Sequence, residues 1–182
     1  MNIFEELRLE LTPFLDKVFA LVKELNINVS DLDIDHIALR YKNSKDVDKL
    51  AAELQSQAKI LSQAIVNGRK IYIFKLNTPL LYKKYKIPCV ELPYPAINHD
   101  YPRDGWEHVE FFLPSKNINE FEQTFKKRFP NLTEEILKKY NYTLSIPQVQ
   151  GEQLLNPSAI LSKEKGLAIK FHPNSIEKVV AS

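Results

Sequence analysis

Two stretches decide the fold: Asp35-His36-Ile37-Ala38-Leu39-Arg40 and Glu107-His108-Val109-Glu110-Phe111-Phe112-Leu113. Each reads as a strand that opens on a histidine behind an acidic residue, and each heads a run of elements in the same order. Period-two alternation puts His36 on one face with Ala38 and Arg40, and His108 on one face with Glu110 and Phe112. Asp35 and Glu107 then point the other way and are expected at the surface. Two such strands from duplicated halves can bring two imidazoles into one cavity, where neutral ring nitrogens ligate a divalent metal. The competing expectation is that each is an ordinary strand histidine satisfied in the core or at the surface.

Outward from these strands, the first half reads strand (34–41), helix with Ser44 as N-cap and Val47, Leu50, Ala51 and Leu54 on one face, then hairpin and last strand. Asn67-Gly68 between 60–66 and 69–76 is the hairpin signal, and 87–92 is the fourth strand, with Cys89 and Glu91 on one face. The second half reads strand (106–113), helix through Phe121 and Phe125 with a further turn near Ile136, then strands at 142–147, 159–162 and 167–172. Strand, helix and three strands thus occur twice, with little residue identity between the copies. Phe4, Leu7, Leu11, Phe14, Leu15, Val18, Leu21 and Val22 recur at helical spacing ahead of the repeat. Pro13 inside that pattern predicts a kink, or a second helix capped by Thr12. The expected division is a single domain over 1–182. It comprises a helical cover (1–30), a first βαβββ module (31–92), a connector (93–104), and a second module with a C-terminal helix (105–182).

At 182 residues, 44% hydrophobic and 26% charged, the chain can bury a sizeable core. A net charge of +2 with interspersed lysines argues against a nucleic-acid partner. One cysteine, Cys89, excludes an intrachain disulfide and reads as a small buried thiol in a reducing compartment. The acidic start Met1-Asn2-Ile3-Phe4-Glu5-Glu6 does not look like a secretory signal, and no run reaches the roughly 20 apolar residues of a membrane span, so a cytoplasmic protein without a membrane partner is expected.

His36, Glu91, His108 and His172 fall on first or last strands of the two halves, where a twofold-related cleft collects one group from each. Nitrogen and oxygen donors together suit Zn(II), Ni(II), Fe(II), Mn(II) or Co(II). Glu110 is a ligand, an acceptor for an imidazole N–H, or a general base. An ion pair with Arg40 or Lys170 is the competing role. Arg40 and Arg69 are candidate anchors for an anionic substrate, with Lys170 and Arg103 as lesser ones. His99 reads as a connector residue. Phosphate loops, nucleophile elbows and dinucleotide fingerprints are absent.

The motifs Asp35-His36-Ile37-Ala38-Leu39-Arg40, Asn67-Gly68-Arg69, Val90-Glu91-Leu92-Pro93, Gly105-Trp106-Glu107-His108, Asn156-Pro157 and Ile169-Lys170-Phe171-His172-Pro173 together resemble the signature of the bacterial YecM-like proteins. That family is similar in fold to the vicinal oxygen chelate superfamily of glyoxalase I, extradiol dioxygenases and bleomycin-resistance proteins. The resemblance implies an α+β fold of paired βαβββ modules whose cupped mixed sheets surround a metal cavity. It implies His36, Glu91 and His108 as ligands, with His172 standing nearest to the place of a missing terminal glutamate. It implies a metal-dependent isomerase, lyase or dioxygenase acting on a small oxygen-chelating substrate, with Glu110 as base. A non-catalytic small-molecule binder of the same fold is the alternative, and a homodimer is left open.

Overall fold

The computed structural model describes residues 2–96, 101–115, 118–147 and 154–182. His99 lies outside them. The chain begins with helix α1 (Ile3–Glu24), capped by Asn2, whose side chain accepts from the Glu5 N–H. The helix runs through Pro13 without ending there. Pro13 sits on its exposed face, where the carbonyl released by the missing N–H can meet water. On the opposite face Phe4, Leu7, Leu11, Phe14, Leu15 and Val18 are all buried, and that burial outweighs the roughly 3 kcal/mol penalty of an interior proline.

The first half follows as β1 (Asp33–Arg40), α2 (Ser44–Leu54), β2 (Ala58–Ser62), β3 (Ile65–Val66), β4 (Arg69–Tyr82) and β5 (Tyr85–Pro93). Asn43, not Ser44, caps α2, because its side chain reaches the Asp46 N–H. The β3–β4 turn has Asn67 and Gly68 both at positive φ (49° and 78°), as a tight hairpin demands. Strand β4 runs six residues beyond its expected end and returns through Lys83, also at positive φ. The second half is β6 (Gly105–Phe112), a short helical turn at Ile118–Glu120, α3 (Phe121–Arg128), α4 (Glu134–Lys139), β7 (Thr143–Ser145), β8 (Ser158–Glu164), β9 (Leu167–His172) and α5 (Ile176–Val180). The turn expected near Ile136 is a separate helix, capped by Thr133.

The strands form one sheet in the order β2-β4-β5-β1-β6-β9-β8-β7, with β3 paired to β4. Outward from the centre, each half therefore runs first strand, last strand, third, second. Within each half the first and last strands are parallel, and the halves join where β1 and β6 run antiparallel. This is a pair of βαβββ modules in a glyoxalase-like α+β fold. Helix α1 packs on β4, β6 and β9, and α2 on β5, so these two helices cover one face, while α5 packs on β2 beside the cavity. Phe19, Tyr85, Phe111, Phe125, Phe129 and Phe171 meet in a run of ring contacts with centroids 4.9–6.5 Å apart. The Trp106 indole donates to the Leu7 carbonyl at 2.8 Å and fastens α1 to β6. The other face is cupped: β2, β3 and β4 from one end of the sheet and β7 and β8 from the other line a single cavity.

Candidate functional site

Register places the polar side chains of the cupped face. Glu91 on β5 and His108 on β6 both pair with Ala38, while His36 pairs with Glu110, which pairs in turn with Lys170 on β9. Glu91 and Lys170 are therefore the matching positions of the two halves. The place where a symmetric site would carry a second carboxylate carries an ammonium.

Two bulges refine the alternation. Between Ile34 and His36 strand β1 has one extra residue, Asp35, and between His108 and Trp106 strand β6 has one extra residue, Glu107. Each acid is thereby turned alongside the histidine that follows it, contrary to the surface position expected from strict alternation. Asp35 Oδ2 lies 2.8 Å from His36 Nδ1, and Glu107 Oε2 lies 3.1 Å from His108 Nδ1.

His36 is 1% exposed. With Nδ1 held by Asp35, its Nε2 is buried without a hydrogen-bond partner among the described residues. Carboxylate oxygens of Glu110 and Glu91 lie 3.4 and 3.9 Å from that nitrogen, and one donor atom from each of the three residues falls within 4.8 Å of the others. Burial disfavours the imidazolium, but the charges of Glu110 and Asp35 outweigh it and push the His36 pKa up to about 10. Burial likewise opposes ionisation of Glu110, yet Lys170 and His36 hold it well below the usual carboxylate range. Lys170 Nζ donates to Glu110 Oε1 at 2.9 Å.

His108 sits on the far side of Glu110. Its Nε2 is 3.1 Å from Glu110 Oε1 and its Nδ1 faces Glu107, so it steadies that carboxylate and does not line the cavity of His36 and Glu91. A second hollow receives it, shared with Arg40, Glu107 and Lys170. Arg40 Nη2 donates to Glu107 at 2.5 Å, while its Nε and Nη1 are buried without a hydrogen-bond partner among the described residues; it lines the second hollow and not the main cavity. Arg69 does line the main cavity and donates to Tyr101 Oη at 3.3 Å.

His172 is fully buried behind His36, with ring centroids 5.6 Å apart. Asn156 Oδ1 accepts from the Asn174 N–H, which fixes the amide so that Nδ2 faces His172 Nδ1 at 2.8 Å. His172 must accept there and carry its proton on Nε2, which points at Asp35 Oδ2 3.5 Å away. Burial lowers its pKa and favours this neutral form. The Ile176 N–H donates to the same Asp35 oxygen at 2.9 Å, bringing the start of α5 onto the site.

Sequence reading missed Asp35, Glu107, Asn156 and Asn174 as parts of the site. The acid ahead of each histidine was visible in the sequence, but only a register shift turns it inward.

Comparison with known proteins agrees over nearly the whole chain. The family model described as YecM protein matches residues 4–182. A Haemophilus influenzae protein described as uncharacterized is 39% identical over 176 residues, spanning 93% of this chain and 89% of that one. Protein YecM of Escherichia coli is 32% identical over 180 residues, covering 98% of this chain and 93% of its own length. The solved structure titled Structural Genomics, Protein EC4020 is 30% identical with a TM-score of 0.77, over 93% of this chain and 86% of that one. A family model over almost the full length, set beside two curated relatives above 30% identity, shows that this chain belongs to the YecM family.

Proposed function

We propose that this protein binds one divalent transition metal through His36 Nε2, Glu91 and Glu110, and acts as a metal-dependent enzyme of the vicinal oxygen chelate type on a small oxygen-bearing substrate. The observation that carries this reading is the buried His36 Nε2, which makes no hydrogen bond among the described residues and has two carboxylates turned toward it; a metal would displace the proton that those carboxylates favour on the ring. Its distances of 3.4 and 3.9 Å to those oxygens are below twice a metal–donor bond of about 2.1 Å, so one ion can touch both without strand movement. One nitrogen and two oxygens suit the zinc-to-manganese range. A metal held there supplies Lewis acidity to neighbouring substrate oxygens.

The surrounding residues have separable tasks. Asp35 fixes the His36 ring, and is itself held by the Ile176 N–H, with the His172 Nε2 3.5 Å away. Lys170 neutralises Glu110 and, released from it, would offer an N–H to a developing oxyanion. Glu110, freed from Lys170, is the carboxylate able to take a substrate proton. Because Glu110 Oε1 lies between the Nε2 atoms of His36 and His108, a swing of Glu110 would admit His108 as a ligand, and this is the second arrangement to test. His172 as a fourth ligand requires its Nε2 to give up the proton that Asn156 assigns to it. We place the protein in the cytoplasm, consistent with its single buried thiol; none of its helices among the described residues is long and apolar enough to cross a membrane.

Calorimetric titration of chelator-stripped protein with Zn(II) and Mn(II) tests the reading. One equivalent should bind, and His36→Ala and Glu91→Gln should each weaken it at least 100-fold in a folded protein. Absence of binding, or affinity untouched by both changes, overturns it. A bound metal with no turnover of any oxo acid or diol points to the non-catalytic binder instead.

A further inference from the structure

The cavity above the His36–Glu91–Glu110 floor encloses about 330 Å³, near the small end of ligand pockets, which suits a metabolite of modest size. Its walls differ sharply from its floor. Val66, Ile71, Ile73 and Ile160 rise from the two ends of the sheet, and Ile176 and Val180 of the C-terminal segment close a side. Among the described residues no phenylalanine, tyrosine or tryptophan lines it, although the chain holds ten phenylalanines and eight tyrosines. The ring contacts of Phe111, Phe125, Phe129 and Phe171 lie among the buried core residues instead. Branched aliphatic walls of this kind match a branched aliphatic body by shape and dispersion, and offer a planar ring no stacking partner.

The wall also carries a charged group, Arg69. On the floor, Glu91 and Glu110 face His36 and Lys170, so acid and base already balance. Arg69 makes no ion pair with any described residue, and its one hydrogen bond goes to the neutral phenol of Tyr101. A partly buried guanidinium without a direct ion pair among the described residues is an anchor for a carboxylate. Burial and the nearby charge of Arg40 lower its pKa, while Glu91 and Glu107 act on it in the other direction from beyond ion-pair distance.

The geometry points to a ligand class for this cavity: a short branched aliphatic carboxylate bearing an oxygen on the neighbouring carbon, a 2-oxo or 2-hydroxy acid. Its carboxylate faces Arg69, its oxygen faces the floor and its alkyl body lies against the valine and isoleucine wall. The metal-facing part of this assignment rests on the function proposed above; the carboxylate and alkyl parts rest on the wall alone.

The test is calorimetric titration of zinc-loaded full-length protein with 4-methyl-2-oxopentanoate, its methyl ester and phenylpyruvate. The acid should bind at least 10-fold more tightly than the ester or the aromatic acid. Arg69→Gln should weaken the acid at least 10-fold while zinc affinity stays unchanged, and Val180→Trp, which fills the wall from the chain end, should abolish acid binding with zinc retained. Phenylpyruvate binding as tightly as the aliphatic acid, or acid binding indifferent to Arg69→Gln, overturns the assignment. If the protein takes up no zinc, the metal reading fails by itself, and the same titrations on metal-free protein decide this one. Acid binding that depends on Arg69 and Val180 supports it, and no binding ends it.

Discussion

Asp35 joins three parts of the molecule through one oxygen, so its removal has a calculable consequence. In Asp35→Ala the buried His36 loses a 2.8 Å charge-assisted hydrogen bond, a loss of about 1.5–3 kcal/mol. The Ile176 N–H, 2.9 Å from the same oxygen, is orphaned as well, but lies near the chain end where α5 can shift toward water, so about 1 kcal/mol is appropriate. Together these give about 2.5–4 kcal/mol. At about 2.1 cal/mol/K of unfolding entropy per residue over 182 residues, the melting midpoint should fall by about 7–10 °C. Asp35→Asn keeps an acceptor oxygen for both donors and loses only the charge, so a fall of about 3–5 °C is expected. Zinc affinity should drop about 10- to 100-fold in the alanine variant, as when an acceptor behind a metal-binding imidazole is deleted. Differential scanning calorimetry of metal-free protein at pH 7, with zinc titration of the same samples, measures both. An alanine variant melting within about 2 °C of the parent, or the two variants falling equally, would refute the reasoning.

The metal-free protein should lose stability as pH rises from about 6.5 to about 10. A protonated His36 is favoured in the folded state, so its contribution is complete below the unfolded value near 6.5 and is lost toward 10. Cys89 adds in the same direction only above about 8.5, so Glu110→Gln should flatten the decline between 6.5 and 8.5; a parent midpoint rising through that range contradicts the assignment. Burial pushes the Cys89 thiol up to about 12, and native protein should stay unlabelled by a disulfide reagent at pH 8 over the time in which denatured protein reacts fully. Gly105 has φ of +110° and a Cβ there would meet the Glu10 carboxylate at 3.4 Å, so Gly105→Ala should cost about 1–3 kcal/mol in a denaturant midpoint; a neutral result rules out backbone strain. Zinc titration of His108→Ala separates the two ligand arrangements: loss comparable to His36→Ala means that His108 binds the ion directly, and a milder one that it only steadies Glu110.

The paired modules were legible in the sequence because three local signals agree: two histidine-headed strands, the Asn67-Gly68 turn, and a helical apolar face after each first strand. The sequence led to the expectation that His36, Glu91 and His108 converge; the structure sets Glu110, not His108, beside His36 and Glu91, because Glu110 is the residue paired with His36 across the seam while His108 pairs with Ala38. What local pattern could not supply was register. Asp35 and Glu107 face inward only because each half contributes one extra residue to the β1–β6 pair, and such a shift is a property of two strands at once. Strand pairing also assigns Lys170, not His172, as the counterpart of Glu91, since His172 lies one pleat farther along β9. The extension of β4 to Tyr82 was hidden by Pro79 and by a return through Lys83, which carries no composition signal of a turn.

The antiparallel seam between β1 and β6 is where the halves meet, and the floor of the cavity straddles it. His36 and Glu91 come from one side, Glu110 and Lys170 from the other. Anything that bridges those groups is therefore also a clasp between two folding units, and its binding energy is spent on holding them together. An ion present at a hundred times its dissociation constant would add about 2.7 kcal/mol to that closure. Amide exchange along β1 and β6 should slow on metal addition, while exchange in the outlying β2 and β7 stays as it was, making the seam itself a gauge of occupancy.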